Sequence, residues 1–137
     1  MPPDPPIVLI VDAHEDSLAM YAIGLSALGF QPVTAKDAEQ AFGQACACHP
    51  EVVVVDLIIP LTAGLDLIHR LRHNPRTKHL PIIVVTGHPR ATTLLPAREA
   101  DRFLLKPCAP GTLAIAIRDL LANGHRWSSR SIAAASR

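Results

Sequence analysis

The chain has 137 residues, the size of one domain, and 49% of them are hydrophobic, which excludes a disordered polymer. Thirteen Lys and Arg against twelve Asp and Glu leave a net charge of +1, too even for an electrostatic footprint on nucleic acid or an anionic membrane. No apolar run approaches the ~18 residues of a membrane span. The acid and four prolines of Met1–Pro6 do not read as a secretory signal, and three cysteines, an odd number, suit a reducing compartment. A cytoplasmic protein is therefore expected.

Taken in chain order, Met1–Pro6 reads as an extended proline-rich arm, 7–123 as one domain and 124–137 as a frayed Ser/Ala/Arg-rich tail. Strands are predicted at Ile7–Val11, Gln31–Ala35, Val52–Val55, Pro81–Thr86 and Arg102–Leu105. The first, third and fourth are almost unbroken in apolarity, as strands covered on both faces are. Helices fill the gaps. Leu18, Ala22 and Leu25 mark the first, closed by Gly29; Asp37 caps a second that runs to about Cys48. Leu65, Ile68 and Leu71 line a third. Leu113, Ile117 and Leu121, with Ala116 and Leu120 beside them, line the last, which starts at Pro110 and stops at Gly124. Between His88 and Ala100, Pro89 and Pro96 predict a short, shifted or kinked helix.

Alternating strands and helices give an α/β fold, a doubly wound five-stranded parallel sheet in the order 2-1-3-4-5. Ligands in such sheets lie beyond the carboxyl ends of the strands, where the order reverses. Asp12, Asp56, Thr86 and Lys106 each follow or close an apolar strand on that edge. One such residue alone would read as an ordinary strand end facing water; four complementary groups read as a site. Two close carboxylates repel unless a cation sits between them. Lys106 supplies one charge, and Mg²⁺, which prefers oxygen ligands, a second. A carboxylate in that setting can accept a phosphoryl group, with Thr86 and Lys106 steadying its oxygens.

At these residues the sequence resembles the receiver domain of two-component response regulators, the flavodoxin-like fold of the chemotaxis protein CheY. The matching pieces are Val11-Asp12, Asp56-Leu-Ile-Ile-Pro60 followed by Gly64, Val85-Thr86-Gly87 and Lys106-Pro107, with Phe103 at the aromatic switch position. The resemblance implies that Asp56 is the phosphoacceptor and that a histidine kinase or phosphotransfer protein is the donor. It implies that Asp12, Asp56 and the backbone carbonyl of Ile58 hold Mg²⁺, and that Thr86 and Lys106 bind the phosphoryl oxygens. Thr86 and Phe103 would form the switch. A downstream protein partner would dock on the face of the family's fourth helix, fifth strand and fifth helix. With no DNA-binding or catalytic module read after Gly124, output through a partner is expected, with no direct nucleic-acid or membrane contact and no enzymatic turnover. A haloacid-dehalogenase phosphatase, the enzymatic alternative, would need an aspartate where Ile58 stands.

The sequence also departs from that family. A second acid usually follows the first; here it is Ala13. Three carboxylates, one lysine and Mg²⁺ sum to zero, whereas two carboxylates leave +1. The missing attraction is on the scale of about 4 kcal/mol for close unit charges before solvation reduces it. Weak Mg²⁺ binding is expected, and a pseudo-receiver that binds partners without phosphate is the alternative function. Glu15 has the reach to replace the acid, but a solvated acid in a first helical turn is the plainer reading. In that family the positions of Ile58 and His88 tune hydrolysis of the aspartyl phosphate; Ile58 offers no group to orient water, so a fairly long-lived phosphate is expected although His88 is a candidate water-orienting group.

Weaker signals have plain explanations. His69 and His73 have metal-pair spacing but no evident third ligand, and read as a solvated helix face. Cys46 and Cys48 read as packing residues, while Cys108, just past the Lys106-Pro107 turn, is a candidate exposed thiol. Arg126, Trp127, Arg130 and Arg137 belong to the frayed tail.

Overall fold

A computed structural model describes residues 4–57, 62–93 and 99–123. Five parallel strands, β1 (Ile7–Val11), β2 (Gln31–Ala35), β3 (Val52–Leu57), β4 (Ile82–Thr86) and β5 (Arg102–Leu105), form one sheet in the order β2-β1-β3-β4-β5. Helices α1 (Glu15–Ala27), α2 (Ala38–Cys48), α3 (Thr62–Arg72) and α4 (Pro110–Asn123) connect or close them.

Side-chain alternation on each strand builds two cores. Leu9, Val11, Val53, Val55, Ile82 and Val84 face α2 and α3, where Ala41, Ala45, Leu67, Ile68 and Leu71 cover them. Val8, Ile10, Val52, Val54, Ile83 and Val85 face the other way, under Leu18, Tyr21 and Leu25 of α1 and Leu113, Ala114, Ile117 and Leu120 of α4. With both faces covered, the central strands have no use for polar residues until their ends.

Most predicted boundaries hold, with informative exceptions. β3 runs past Val55 because Asp56 and Leu57 still pair with Val85 and Thr86. β4 begins at Ile82 rather than Pro81, which lacks an N–H to give. The buried stripes turn slightly: Tyr21 joins Leu18 and Leu25, Leu67 joins Ile68 and Leu71, and in α4 Leu113, Ala114, Ile117 and Leu120 are buried while Leu121 is only partly so. The Asp37 carboxylate accepts from the Gln40 N–H at 2.8 Å and caps α2, and Gly29, at φ 96°, takes the left-handed turn after α1. Between β4 and β5, Pro89–Thr93 is a 3₁₀ turn; the rest of that predicted helix, 94–98, lies outside the described residues, as do Ile58, Gly124 and the tail.

Helices α1 and α4 meet at Gly24, where an added Cβ would stand 2.5 Å from Cβ and 2.7 Å from Cγ of Pro110. The pyrrolidine ring cannot rotate away. Gly24→Ala therefore gains about 1 kcal/mol of helix propensity but incurs an overpacking cost of about 1–3 kcal/mol. A net loss is expected in urea unfolding, and a stabilised variant would show that the two helices are free to part.

Candidate functional site

Each strand delivers its polar residue to the same edge. Asp12 follows β1, and its backbone N–H is held by the Ala35 carbonyl of β2 at 3.1 Å. Asp56 is the penultimate residue of β3, Thr86 the last of β4, and Lys106 follows β5, its N–H bound to the Thr86 carbonyl at 2.8 Å. The Lys106 ammonium donates to Asp56 Oδ2 at 2.8 Å and lies 4.0 Å from Asp12 Oδ2. The carboxylates are nearly sealed, with Asp12 1% and Asp56 5% exposed in their side chains. Thr86, fully buried, donates its hydroxyl to the Leu57 carbonyl at 3.3 Å and accepts from the His88 N–H at 3.0 Å. Phe103 is buried in β5 beside Val84. The predicted residues therefore converge, except that Ile58 lies outside the described residues and Phe103 sits in the core below the edge.

Charge governs this pocket. Burial pushes the Asp56 carboxyl up to about 6; Lys106 pulls against that rise and Asp12 adds to it. Asp12 Oδ2 and Asp56 Oδ1 are buried with no hydrogen-bond partner among the described residues. Two anionic oxygens without donors are an unstable arrangement in a protein interior, and a bound cation would satisfy both. A cavity of about 180 Å³ adjoins them, lined by Ala13, Lys36, Ala63, Gly64 and Leu67 among others.

Three residues outside the predicted set shape the site. Tyr21, the only tyrosine, donates from its buried hydroxyl to the Cys108 carbonyl at 2.8 Å and so ties α1 to the turn that carries Lys106. Burial pushes this phenol up to about 12, so it remains a donor. His14 places its Nδ1 3.3 Å from Asp12 Oδ1, and its backbone N–H donates to the same oxygen at 2.8 Å. Lys36 is hydrogen-bonded to Glu15, which holds the Glu15 carboxyl below its usual range. Glu15 is thus an exposed, paired first-turn acid and no replacement for the acid missing at Ala13. Of these, only the apolar-stripe spacing of Tyr21 with Leu18 and Leu25 left a trace in the sequence.

Elsewhere, Cys108 is buried, contrary to the expectation of an exposed thiol, because its side chain packs in the α1–α4 core. Burial also raises its thiol. His69 and His73 gain the third group their spacing alone did not show: Glu99 Oε1 lies 3.4 Å from His69 Nδ1.

A parallel sheet in this order, with two acids, a hydroxyl and an ammonium at its carboxyl edge, invites comparison with known proteins. Residues 8–118 match the response regulator receiver domain family. The chain belongs to that family. This receiver is 28% identical over 116 residues to the phosphate regulon transcriptional regulatory protein PhoB of Pseudomonas aeruginosa, covering 83% of this chain and 51% of that protein. It is 31% identical over 120 residues to the probable transcriptional regulatory protein TcrX of Mycobacterium tuberculosis, covering 85% and 50%. The chain thus spans about half the length of these curated relatives. A sensor protein from Polaromonas sp. JS666 superposes with a TM-score of 0.77 at 27% identity, over 86% of this chain and 97% of that one. The chemotaxis response regulator CheY4 of Vibrio cholerae shares the fold at a TM-score of 0.73 and 24% identity, over 85% and 98%. Among the described residues no helix is long and apolar enough to cross a membrane.

Proposed function

We propose that this receiver accepts a phosphoryl group on Asp56 from a phosphohistidine of a histidine kinase or phosphotransfer protein, and signals by changing the binding of a downstream protein. The observation that carries this reading is the Lys106–Asp56 contact at 2.8 Å, beside a buried Asp56 oxygen that has no donor among the described residues. At neutral pH a carboxyl shifted to about 6 is mostly ionised and able to attack. A carboxylate oxygen of Asp56 forms the new P–O bond. The donor P–N bond breaks, its electron pair stays on the imidazole, and that ring takes up a proton as it leaves. Lys106 then turns its ammonium to the phosphoryl oxygens, and the Thr86 hydroxyl, now spent on the Leu57 carbonyl, is the second donor within reach of this edge.

The donor set fits a divalent cation, since the two unpartnered oxygens belong to Asp12 and Asp56. Those carboxylates would hold Mg²⁺ together with the Ile58 carbonyl, weakly because Ala13 brings no charge. The cation supplies neutralisation of the transferring group's oxygens. Movement of Thr86 toward the phosphoryl group would draw Phe103, two positions below its neighbour Leu105 on β5, and so alter the face of β5 and α4.

Incubating the protein with a small phosphodonor and Mg²⁺ and weighing it intact tests this reading. The wild type gains one phosphoryl group and Asp56→Asn gains none. No gain in the wild type under any divalent cation, with partner binding intact, makes it a pseudo-receiver instead.

A further inference from the structure

Resting on the cation site just described, we propose that His14 is its third side-chain ligand and that this imidazole makes the site select a first-row transition-metal dication, such as Mn²⁺ or Zn²⁺, over Mg²⁺. Asp12, His14 and Asp56 each bring a ligand atom to within 4.8 Å of the others. The two carboxylates are buried and the imidazole is 65% exposed, so it closes the site from the solvent side.

The His14–Asp12 contact by itself does not satisfy the buried carboxylates. It uses Asp12 Oδ1, whereas the oxygens with no hydrogen-bond partner among the described residues are Asp12 Oδ2 and Asp56 Oδ1. Nor is the ring spent on capping: His14 is the N-cap residue of α1, yet its side chain makes no capping hydrogen bond. The other polar groups nearby are otherwise engaged. Lys36 is held by Glu15 and the Tyr21 hydroxyl by the Cys108 carbonyl, while among the described residues the Lys106 ammonium donates to Asp56 Oδ2.

Ligand chemistry then decides the metal. Mg²⁺ prefers oxygen and is little rewarded by an imidazole nitrogen. Two carboxylates and one imidazole suit Zn²⁺, for which nitrogen is a favoured donor, while Mn²⁺ takes the carboxylates and tolerates the imidazole better than Mg²⁺ does. The cavity beside Ala13 leaves room for waters to complete the coordination. Replacing an acid at position 13 by a histidine at 14 thus exchanges charge for nitrogen.

The test is equilibrium metal binding to the full chain by calorimetry, with free Mn²⁺ also followed by its paramagnetic resonance signal. The His69→Ala/His73→Ala background removes the only other cluster of possible metal ligands among the described residues. Mn²⁺ and Zn²⁺ are expected to bind about tenfold or more tightly than Mg²⁺, and His14→Ala to weaken both by about tenfold or more with Mg²⁺ affinity unchanged. Ala13→Asp raises Mg²⁺ affinity and narrows the gap. Mg²⁺ binding as tight as Mn²⁺, or indifference of Mn²⁺ and Zn²⁺ to His14→Ala, overturns the inference. Phosphoryl uptake with Mg²⁺ together with such indifference sinks the role of His14 and leaves the phosphoacceptor standing. His14-dependent Mn²⁺ binding without uptake supports the metal site and removes the phosphoacceptor.

Discussion

Arg72→Ala is expected to destabilise the fold by about 3–5 kcal/mol, a large share of the 5–15 kcal/mol typical of a whole domain. Arg72 ends α3, and its guanidinium joins three segments. Nε donates to the Glu99 carbonyl at 2.9 Å, one terminal nitrogen to the Lys78 and Leu80 carbonyls at 3.1 and 2.5 Å, and the other to Asp101 Oδ2 at 2.9 Å. Asp101 is 4% exposed, and the same oxygen receives the Ile82 N–H at 2.8 Å at the start of β4. Truncation takes the guanidinium from a buried carboxylate and the donor from three carbonyls at once. Burial lowers the Arg72 pKa while Asp101 raises it, so the pair is a desolvated one rather than a surface ornament. Urea unfolding gives the loss directly. Arg72→Lys keeps the charge but lacks the planar fork, so it recovers only part of the loss. In a double-mutant cycle Asp101→Asn costs less in the Arg72→Ala background than alone. Additive effects would show that the two residues act independently.

That clamp marks a limit of what the chain discloses by itself. Asp12, Asp56, Thr86 and Lys106 were legible because β-branched strands buried on both faces tolerate polar residues only at their ends, and one edge of a parallel sheet collects those ends. The strand order followed from short right-handed connections. Arg72 and Asp101, by contrast, are 29 residues apart and pair where the end of α3 meets the segments leading into β4 and β5, a contact no periodicity encodes. Glu99 beside His69 is the same kind of partner, brought from 30 residues away. His14 was hidden differently. Reading an acid lost at Ala13 directs attention to the next acid, Glu15, yet the turn after β1 aims the intervening imidazole at Asp12 and leaves Glu15 to Lys36. The shift of the α4 stripe from Leu121 to Leu120 shows the smaller uncertainty of helical phase, about one residue, which packing against α1 resolves.

Asp56→Asn, the variant that tests phosphoryl uptake, is expected to make the protein more stable in a chelating buffer. Folding moves the Asp56 carboxyl from 3.8 to about 6, chiefly by burial, so the folded state disfavours the ionised acid. That gap corresponds to about 3 kcal/mol, an upper scale because Lys106 also loses an anionic partner. The sign follows from proton counts. Below pH 4 the acid is protonated in both states and the penalty is absent. Between pH 4 and about 6 the unfolded chain has released its proton while the folded one keeps it, so stability falls as pH rises. Above pH 6 the loss is complete. Asparagine never ionises, and its carbonyl still accepts from Lys106. At pH 7 the variant is expected to melt about 5–10 °C above the wild type, with the advantage shrinking from pH 6 to 4 and gone below. A divalent cation that binds the wild type closes the gap from the other side, since it stabilises the state that binds it and gains little from a neutral amide. Equal or lower stability of Asp56→Asn at pH 7 in chelator would mean that the carboxylate pair is not strained. The pocket would then lack the internal repulsion that makes a cation and a phosphoryl group welcome there.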